Sequence, residues 1–258
     1  MRKKIFSIML LFTTAANAQS LLIGDVDQDG NLSITDVVLL VNMILNDEQR
    51  YIDLHKYVDL GLPSGTLWAT CNIGAETPDE YGDYFAWGET KGYSSEKNNF
   101  DWSTYKYCNG SYNTLTKYNS NSSYGFNGST DNLTELELID DAAYQNWGSN
   151  WRMPSQEQFL ELVNSEYTTT EWTTLKNVYG RKITSKTNGN SIFLPAAGYR
   201  SETTFYNVGS NGCYWSRTLY SGYQPYADYL FIFSDNVYSY IYNRCEGQSI
   251  RPVRINKN

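Results

Sequence analysis

The residues best suited to chemistry stand near the start of the chain, in the run Asp25-Val26-Asp27-Gln28-Asp29-Gly30-Asn31-Leu32-Ser33-Ile34-Thr35-Asp36. Carboxylates occupy positions 1, 3 and 5 of this twelve-residue stretch, and Gly30 occupies position 6, where a loop folding around an ion must turn sharply. Asn31 offers a backbone carbonyl at position 7, Ser33 an oxygen at position 9 (directly or through water), and Asp36 a closing carboxylate at position 12. Ca2+ takes six to eight hard oxygens at about these positions. Three clustered aspartates also repel one another unless a cation lies between them. The expected metal ligands are therefore Asp25, Asp27, Asp29, Asn31, Ser33 and Asp36, with Ca2+ as the cofactor.

The element that must position Asp36 is a helix leaving the loop. Val37, Val38, Val41, Ile44 and Leu45 recur at helical spacing and make one apolar stripe. Only Ser20 to Gly24 separate the loop from a leader, so no helix precedes it. Loop plus exit helix, closed by Asp where an EF-hand has Glu, resembles one repeat of a dockerin, over about residues 22 to 46. That resemblance implies docking onto a cohesin-like partner within a polysaccharide-degrading assembly. A full dockerin has two such repeats and this chain has one, so its apolar stripe must pack elsewhere on the chain, on another protein or in a dimer.

Arg2, Lys3 and Lys4, the apolar run Ile5 to Phe12, and Ala16-Asn17-Ala18 read as a secretory signal peptide over residues 1–18, with Gln19 the new N-terminus. The apolar run is too short to span a bilayer, and no second candidate span follows. The expected address is outside the cytoplasm: periplasm, cell surface or medium. Losing the leader lowers Lys+Arg from 20 to 17 against 28 Asp+Glu, a net charge of −11, which argues against nucleic acid and anionic membranes as partners.

The remaining chemistry is sparse. The chain has one histidine, His55, in a polar linker over residues 47–56, which speaks against Ser-His-Asp, Cys-His and His-ligated zinc centres in the region beyond it. No P-loop or dinucleotide fingerprint occurs. Asp140, Asp141, Glu157 and Glu161 are carboxylates that a fold could pair as a glycosidase does, but composition favours them as helix-start and solvated-face charges. Cys71, Cys108, Cys213 and Cys245 lack C-x-x-C spacing; export permits disulfides, four cysteines allow three connectivities, and free buried thiols are the alternative.

From Tyr57 the composition turns to Gly, Tyr, Trp, Asn and Ser, which predicts strands and long loops with few helices. Val58 to Leu62 and Thr66 to Thr70 read as strands around a Pro63-Ser64-Gly65 turn. Ile183 to Ser185 with Ile192 to Leu194, around Asn188-Gly189, reads as a hairpin, as does Tyr229 to Phe233 with Val237 to Ile241. Leu133 to Trp147 and Ser155 to Tyr167 are helix candidates, the second opened by a Ser155/Gln158 capping box. Ser249 to Ile255 is expected as the last strand, and Asn98 to Asn132 as a long surface loop.

Several peptides carry a second resemblance: Trp68-Ala69-Thr70-Cys71-Asn72-Ile73-Gly74-Ala75, Tyr81-Gly82-Asp83-Tyr84-Phe85-Ala86-Trp87-Gly88-Glu89-Thr90, Trp151-Arg152-Met153-Pro154-Ser155, Phe193 to Arg200, Tyr214-Trp215-Ser216 and Ser249-Ile250-Arg251-Pro252-Val253-Arg254. In order and spacing these resemble the Fibrobacter succinogenes major paralogous domain, a family common in secreted proteins of Bacteroidetes-type bacteria, across residues 57–256. The resemblance implies an α+β, C-type-lectin-like fold of twisted antiparallel strands, two helices and long loops, with the first and last strands side by side. It also implies a Cys71–Cys245 disulfide, since those residues follow the first strand and precede the last. The calcium-lectin sugar motif does not carry over, because Gln224-Pro225-Tyr226 breaks it.

The densest aromatic stretch runs from Tyr206 to Tyr242, interspersed with Ser, Asn and Asp, a composition that suits a paratope-like surface as well as a half-buried sheet. The candidate ligand-contacting residues are Tyr214, Trp215, Tyr220, Tyr223, Tyr226, Tyr238 and Tyr240. The expectation is a secreted, non-catalytic calcium-binding protein recognising a glycan or protein ligand. The alternatives are a docked component of polysaccharide breakdown and a structural surface protein.

Overall fold

The computed structural model describes residues 33, 34, 36–38, 55–95 and 97–254, and the chain divides into two units, Met1–Ile52 and Asp53–Asn258. The leader over residues 1–18 and most of the linker over 47–56 lie outside the described residues. Within the first unit, Ile34 and residues 36–38 are helical, with Ser33 immediately before them.

In the second unit, Gly65 closes the turn that joins β1 (Tyr57–Asp59) to β2 (Leu67–Ala69), donating its N–H to Leu62 O at 2.9 Å with φ +69°. A side chain at that φ would be strained, which is why glycine stands there. β12 (Val253–Arg254) lies between β2 and β3 (Trp151–Arg152), antiparallel to both, so the sheet order is β1-β2-β12-β3. Among the described residues of the expected last strand only this dipeptide is in the ladder; Ile250 and Pro252 instead pair singly, accepting from Ile73 and Ala69. The fully buried Arg251 pins this closure: its guanidinium donates to Asn72 Oδ1, Ala69 O and Phe193 O at 2.9–3.2 Å.

A second sheet is the meander β4 (Thr168–Leu175), β5 (Val178–Ser185) and β6 (Ser191–Pro195). Its second hairpin is the one expected around Asn188-Gly189, with Ile183 opposite Ile192. Its first turns on Lys176 and Asn177 alone, both with positive φ. β7 (Tyr199–Ser201) and β8 (Thr204–Tyr206) form a small hairpin. The last sheet is β9 (Asn211–Leu219), β10 (Tyr226–Phe233) and β11 (Val237–Asn243), in the order β11-β10-β9.

Both helices are shorter than expected. α1 is Ala142–Trp147, capped by Asp141, whose carboxylate accepts from Ala143 N and Tyr144 N. The residues before it are drawn away by strand-like pairing: Leu136 N donates to Arg217 O, and Leu219 N donates to Thr134 O. Two backbone bonds to β9 outweigh the helical propensity of Leu133 to Leu138. α2 is Gln156–Leu162 and opens with the full Ser155/Gln158 capping box. It stops at Val163, because Tyr167 O is needed by Lys186 N and Thr168 begins β4. No helix among the described residues is long and apolar enough to cross a membrane. The architecture is a β-rich α+β fold built mostly from antiparallel sheets.

Two apolar clusters make the core. One gathers Leu60, Trp68, Phe159, Leu162, Ile183, Leu194, Tyr214, Leu230 and Ile232; the other is aromatic, around Phe85, Trp87, Phe100, Tyr118, Trp151 and Trp215. The long loop expected over residues 98–132 is tied to this second cluster by the buried carboxylate of Asp140. Lys117 Nζ and Tyr118 OH both reach it at 2.6 Å, Lys106 Nζ at 3.2 Å, and Tyr107 OH closely as well.

All four cysteines are free thiols, so the expected Cys71–Cys245 disulfide is absent. The backbone register explains it. Cys71 lies in the segment that pairs with Ile250 and Pro252, whereas Cys245 lies beside Trp87, whose N–H donates to Arg244 O. The Cys71 thiol instead points to Glu76 O at 3.5 Å.

Candidate ligand-binding face

The β9-β10-β11 sheet separates its side chains by strand alternation. Register pairs Tyr229 with Trp215 and Tyr240, and Phe231 with Cys213 and Tyr238. Trp215, Cys213, Tyr229, Phe231, Phe233, Tyr238, Tyr240 and Tyr242 therefore share one face. Tyr214, Leu230 and Ile232 take the other, which is buried in the first core cluster beside Phe159 of α2.

The aromatic face is continuous. Tyr229 meets Tyr240 and Tyr242 with ring centroids 6.2 and 6.1 Å apart, Phe231 meets Tyr238 at 5.7 Å, and Tyr238 meets Tyr240 at 5.9 Å, all edge to face. Tyr199 of β7 extends it, edge-on to Tyr242 at 5.5 Å and stacked on Tyr206 at 5.3 Å. Edge-to-face contacts at these separations hold the rings in fixed orientations. Trp215, Cys213 and Tyr229 anchor the face in the aromatic core, while Tyr206, Tyr238 and Tyr240 are exposed. Between the anchored and exposed parts, Tyr199, Asn207, Asn211, Cys213, Tyr229, Phe231 and Tyr242 line a cleft of about 170 Å3. Burial pushes the Tyr229 and Tyr242 phenols and the Cys213 thiol upward, keeping all three neutral.

The seven expected ligand-contacting residues separate into three groups. Tyr214 and Trp215 are completely buried and offer a ligand no surface: Tyr214 OH donates to Pro195 O, and Trp215 Nε1 donates to Phe85 O at 2.9 Å. Tyr220 and Tyr223 belong to the connection between β9 and β10 and Tyr226 opens β10, all three half-buried, with Tyr223 edge-on to Tyr226 at 4.7 Å and to Tyr124 at 5.2 Å. Only Tyr238 and Tyr240 stand on the exposed aromatic face. Tyr199, Asn207, Asn211, Tyr229, Phe231 and Tyr242 were not among the candidates. Tyr229, Phe231 and Tyr242 carry a signal, the every-second-residue recurrence in Tyr229-Leu230-Phe231-Ile232-Phe233 and Tyr238-Ser239-Tyr240-Ile241-Tyr242, whereas Tyr199, Asn207 and Asn211 carry none.

Of the expected calcium loop, Asp25, Asp27, Asp29 and Asn31 lie outside the described residues, as do Val41, Ile44 and Leu45 of the expected exit helix. Asp36 is buried, and its Oδ2 accepts the Ser33 N–H at 2.7 Å, the return half of a capping box. The bond joins the ninth and twelfth positions of the expected loop as a helix start does. Val37 and Val38 are exposed, so this end of the expected apolar stripe is not packed away. Among the described residues no group of three or more His, Cys, Asp or Glu side chains is arranged around a metal position.

Three of the four carboxylates that a fold could pair as a glycosidase does are engaged in the fold, and Glu157 is exposed. Asp140 holds the long loop, Asp141 caps α1 and accepts from Met153 N, and Glu161 accepts from Ser64 N and Ser64 Oγ. Glu157 stands in the first turn of α2 near Asp228. His55 is not in a free linker: its ring stacks on Trp147 at 3.7 Å and lines a separate recess of about 280 Å3 with Cys71 and Glu76. Compared with family models, with curated proteins and with solved structures, the chain finds no match in any of the three.

Proposed function

We propose that the chain is an exported, non-catalytic recognition protein whose β-rich domain adopts a C-type-lectin-like arrangement and binds a glycan or protein ligand. The observation that carries this reading is the unbroken aromatic face of β10 and β11, open at Tyr238 and Tyr240 and rigid beneath them. Soluble proteins seldom expose contiguous aromatic surface without a use for it. Tyrosine gives a ligand large contact area for little lost side-chain entropy, which is why binding surfaces favour it. The antiparallel closure of β2 against β12 supports the lectin-like arrangement. Ca2+, held by Asp25, Asp27, Asp29, the Asn31 carbonyl, Ser33 and Asp36, would serve as a clip folding the N-terminal loop onto its helix.

The test is a glycan and protein binding screen of the full chain, with and without EDTA, alongside a Tyr238→Ala/Tyr240→Ala double variant. The expected result is a ligand whose affinity falls at least about tenfold in the variant, as loss of aromatic contact residues in a binding site does, with unchanged thermal stability. A screen with no ligand, or a ligand bound equally by the variant, removes this reading.

A further inference from the structure

We propose that the cleft between Tyr199, Tyr229, Phe231 and Tyr242 is a subsite for one uncharged sugar ring. The proposal rests on the aromatic face being the binding surface and specifies what that surface takes. Size is the first consideration. At about 170 Å3 the cleft is smaller than the roughly 300–1,000 Å3 of pockets that enclose drug-sized ligands, so it admits a single ring and not an oligomer. A longer chain would leave the cleft across Tyr240 and Tyr238, whose rings continue from Tyr229 and Phe231.

Polarity is the second consideration. None of the seven lining residues is Asp, Glu, Lys or Arg, so the cleft offers an anion no ion-pair partner and a cation no carboxylate. Its aromatic walls suit the apolar C–H face of a pyranose. Asn207 and Asn211 also line it. The third consideration is specific. Asn211 Oδ1 is enclosed and accepts no hydrogen bond from any protein group. A buried acceptor left unpaired is costly, so the site calls for a donor from outside the chain. A sugar hydroxyl supplies one while its ring covers the aromatic wall. The phenylalanine side chain of a protein ligand would cover the wall and leave Asn211 unpaired.

The experiment is saturation-transfer NMR on the full-length protein with glucose, galactose, mannose and N-acetylglucosamine as probes, and with tyrosinamide as a control. Asn211→Ala, Asn211→Asp and wild type are compared after near-UV circular dichroism has shown the same fold. The expected result is transfer to at least one of the four sugars, with Kd rising at least about tenfold in Asn211→Ala, the effect of removing one buried hydrogen bond. No transfer to any sugar overturns the proposal, as does equal binding by Asn211→Ala. Binding of tyrosinamide alone overturns it in favour of a protein ligand. Self-association of the wild type that Tyr240→Ala abolishes overturns it in favour of a second copy of this chain. If the Tyr238→Ala/Tyr240→Ala variant loses a macromolecular ligand while the sugars still fail to bind, the wider binding reading stands and only the cleft assignment falls.

Discussion

Asp140→Asn isolates the group that orders the long loop. Burial alone would push the Asp140 carboxyl upward, but hydrogen bonds from Lys117, Tyr107, Tyr118 and Lys106 outweigh that and hold it at about 2. Moving a carboxyl from 3.8 to about 2 corresponds to about 2 kcal/mol of stability. Because the folded-state value lies below the unfolded one, this contribution is present in full above the ordinary carboxylate range and is lost as the pH falls through about 2. Most of it comes from Lys117 and the two phenols, since Lys106 is half exposed and a screened pair of that kind adds little. Asparagine keeps the shape and loses the charge. Urea unfolding should therefore show Asp140→Asn weaker than wild type by about 2 kcal/mol at pH 7, the gap narrowing from pH 4 downward until the two nearly coincide near pH 2. Amide exchange should quicken around Lys117 and Tyr118 before it does in β9 and β10. A gap under about 0.5 kcal/mol at pH 7, the range of ordinary surface substitutions, or a gap independent of pH, would refute the role given to this carboxylate.

Three other outcomes follow from the same structure. Asp228 is pushed up to about 6, first by burial and then by Glu157. Its contribution to stability therefore runs opposite to that of Asp140, present below the ordinary range and lost as pH rises from 4 to 6. Asp228→Asn, which still accepts from Gln156 Nε2, should stabilise the fold at pH 7 by about 1–2 kcal/mol in urea titrations. A thiol reagent should label at most the half-buried Cys108 quickly in the native protein and all four cysteines after denaturation, with dithiothreitol leaving the melting temperature unchanged; a reducible melting transition would restore the disulfide. Calorimetric titration should find one Ca2+ per chain, lost in Asp25→Ala and Asp29→Ala, while EDTA leaves the melting of the unit from Asp53 onward unaltered.

Local signals with a single physical reading survived into the fold. Ser155 and Gln158 could satisfy each other's orphan donors in only one way, and Asn188-Gly189 supplied the backbone a tight hairpin needs. What was illegible depended on distant partners. Leu133 to Leu138 has the makings of a helix and is instead claimed by Arg217 and Leu219. β4 gives little signal in the sequence, because Thr168 to Leu175 carries little alternation and turns on Lys176-Asn177 with no glycine to mark it. Arg251 is enclosed only by residues distant in sequence, Asn72, Ala69 and Phe193, which its guanidinium bonds.

The tyrosines show why a binding face is harder to read than a fold. A residue type that is apolar along its body and polar at its tip fits both sides of a half-buried sheet, so density alone cannot say which tyrosines meet solvent. Phase within a strand decides part of it: Tyr214 and Trp215 are neighbours on β9, yet one faces the α2 side and the other the aromatic side. Position in the sheet decides the rest. Trp215 and Tyr229 share the face of Tyr240, but they sit over the core, whereas Tyr240 lies on the edge strand beyond it. The register of β9 against β10 shifts between Ala227 and Tyr229, and that irregularity sets which residues of β9 face Tyr229 and Phe231. The shift is of two residues, from Ala227 opposite Leu219 to Tyr229 opposite Trp215, so alternation survives it and both pairs keep to one face. A one-residue slip would instead turn Leu230 and Ile232 outward and bury Phe231 in their place, destroying the cleft while leaving every aromatic residue in the sequence.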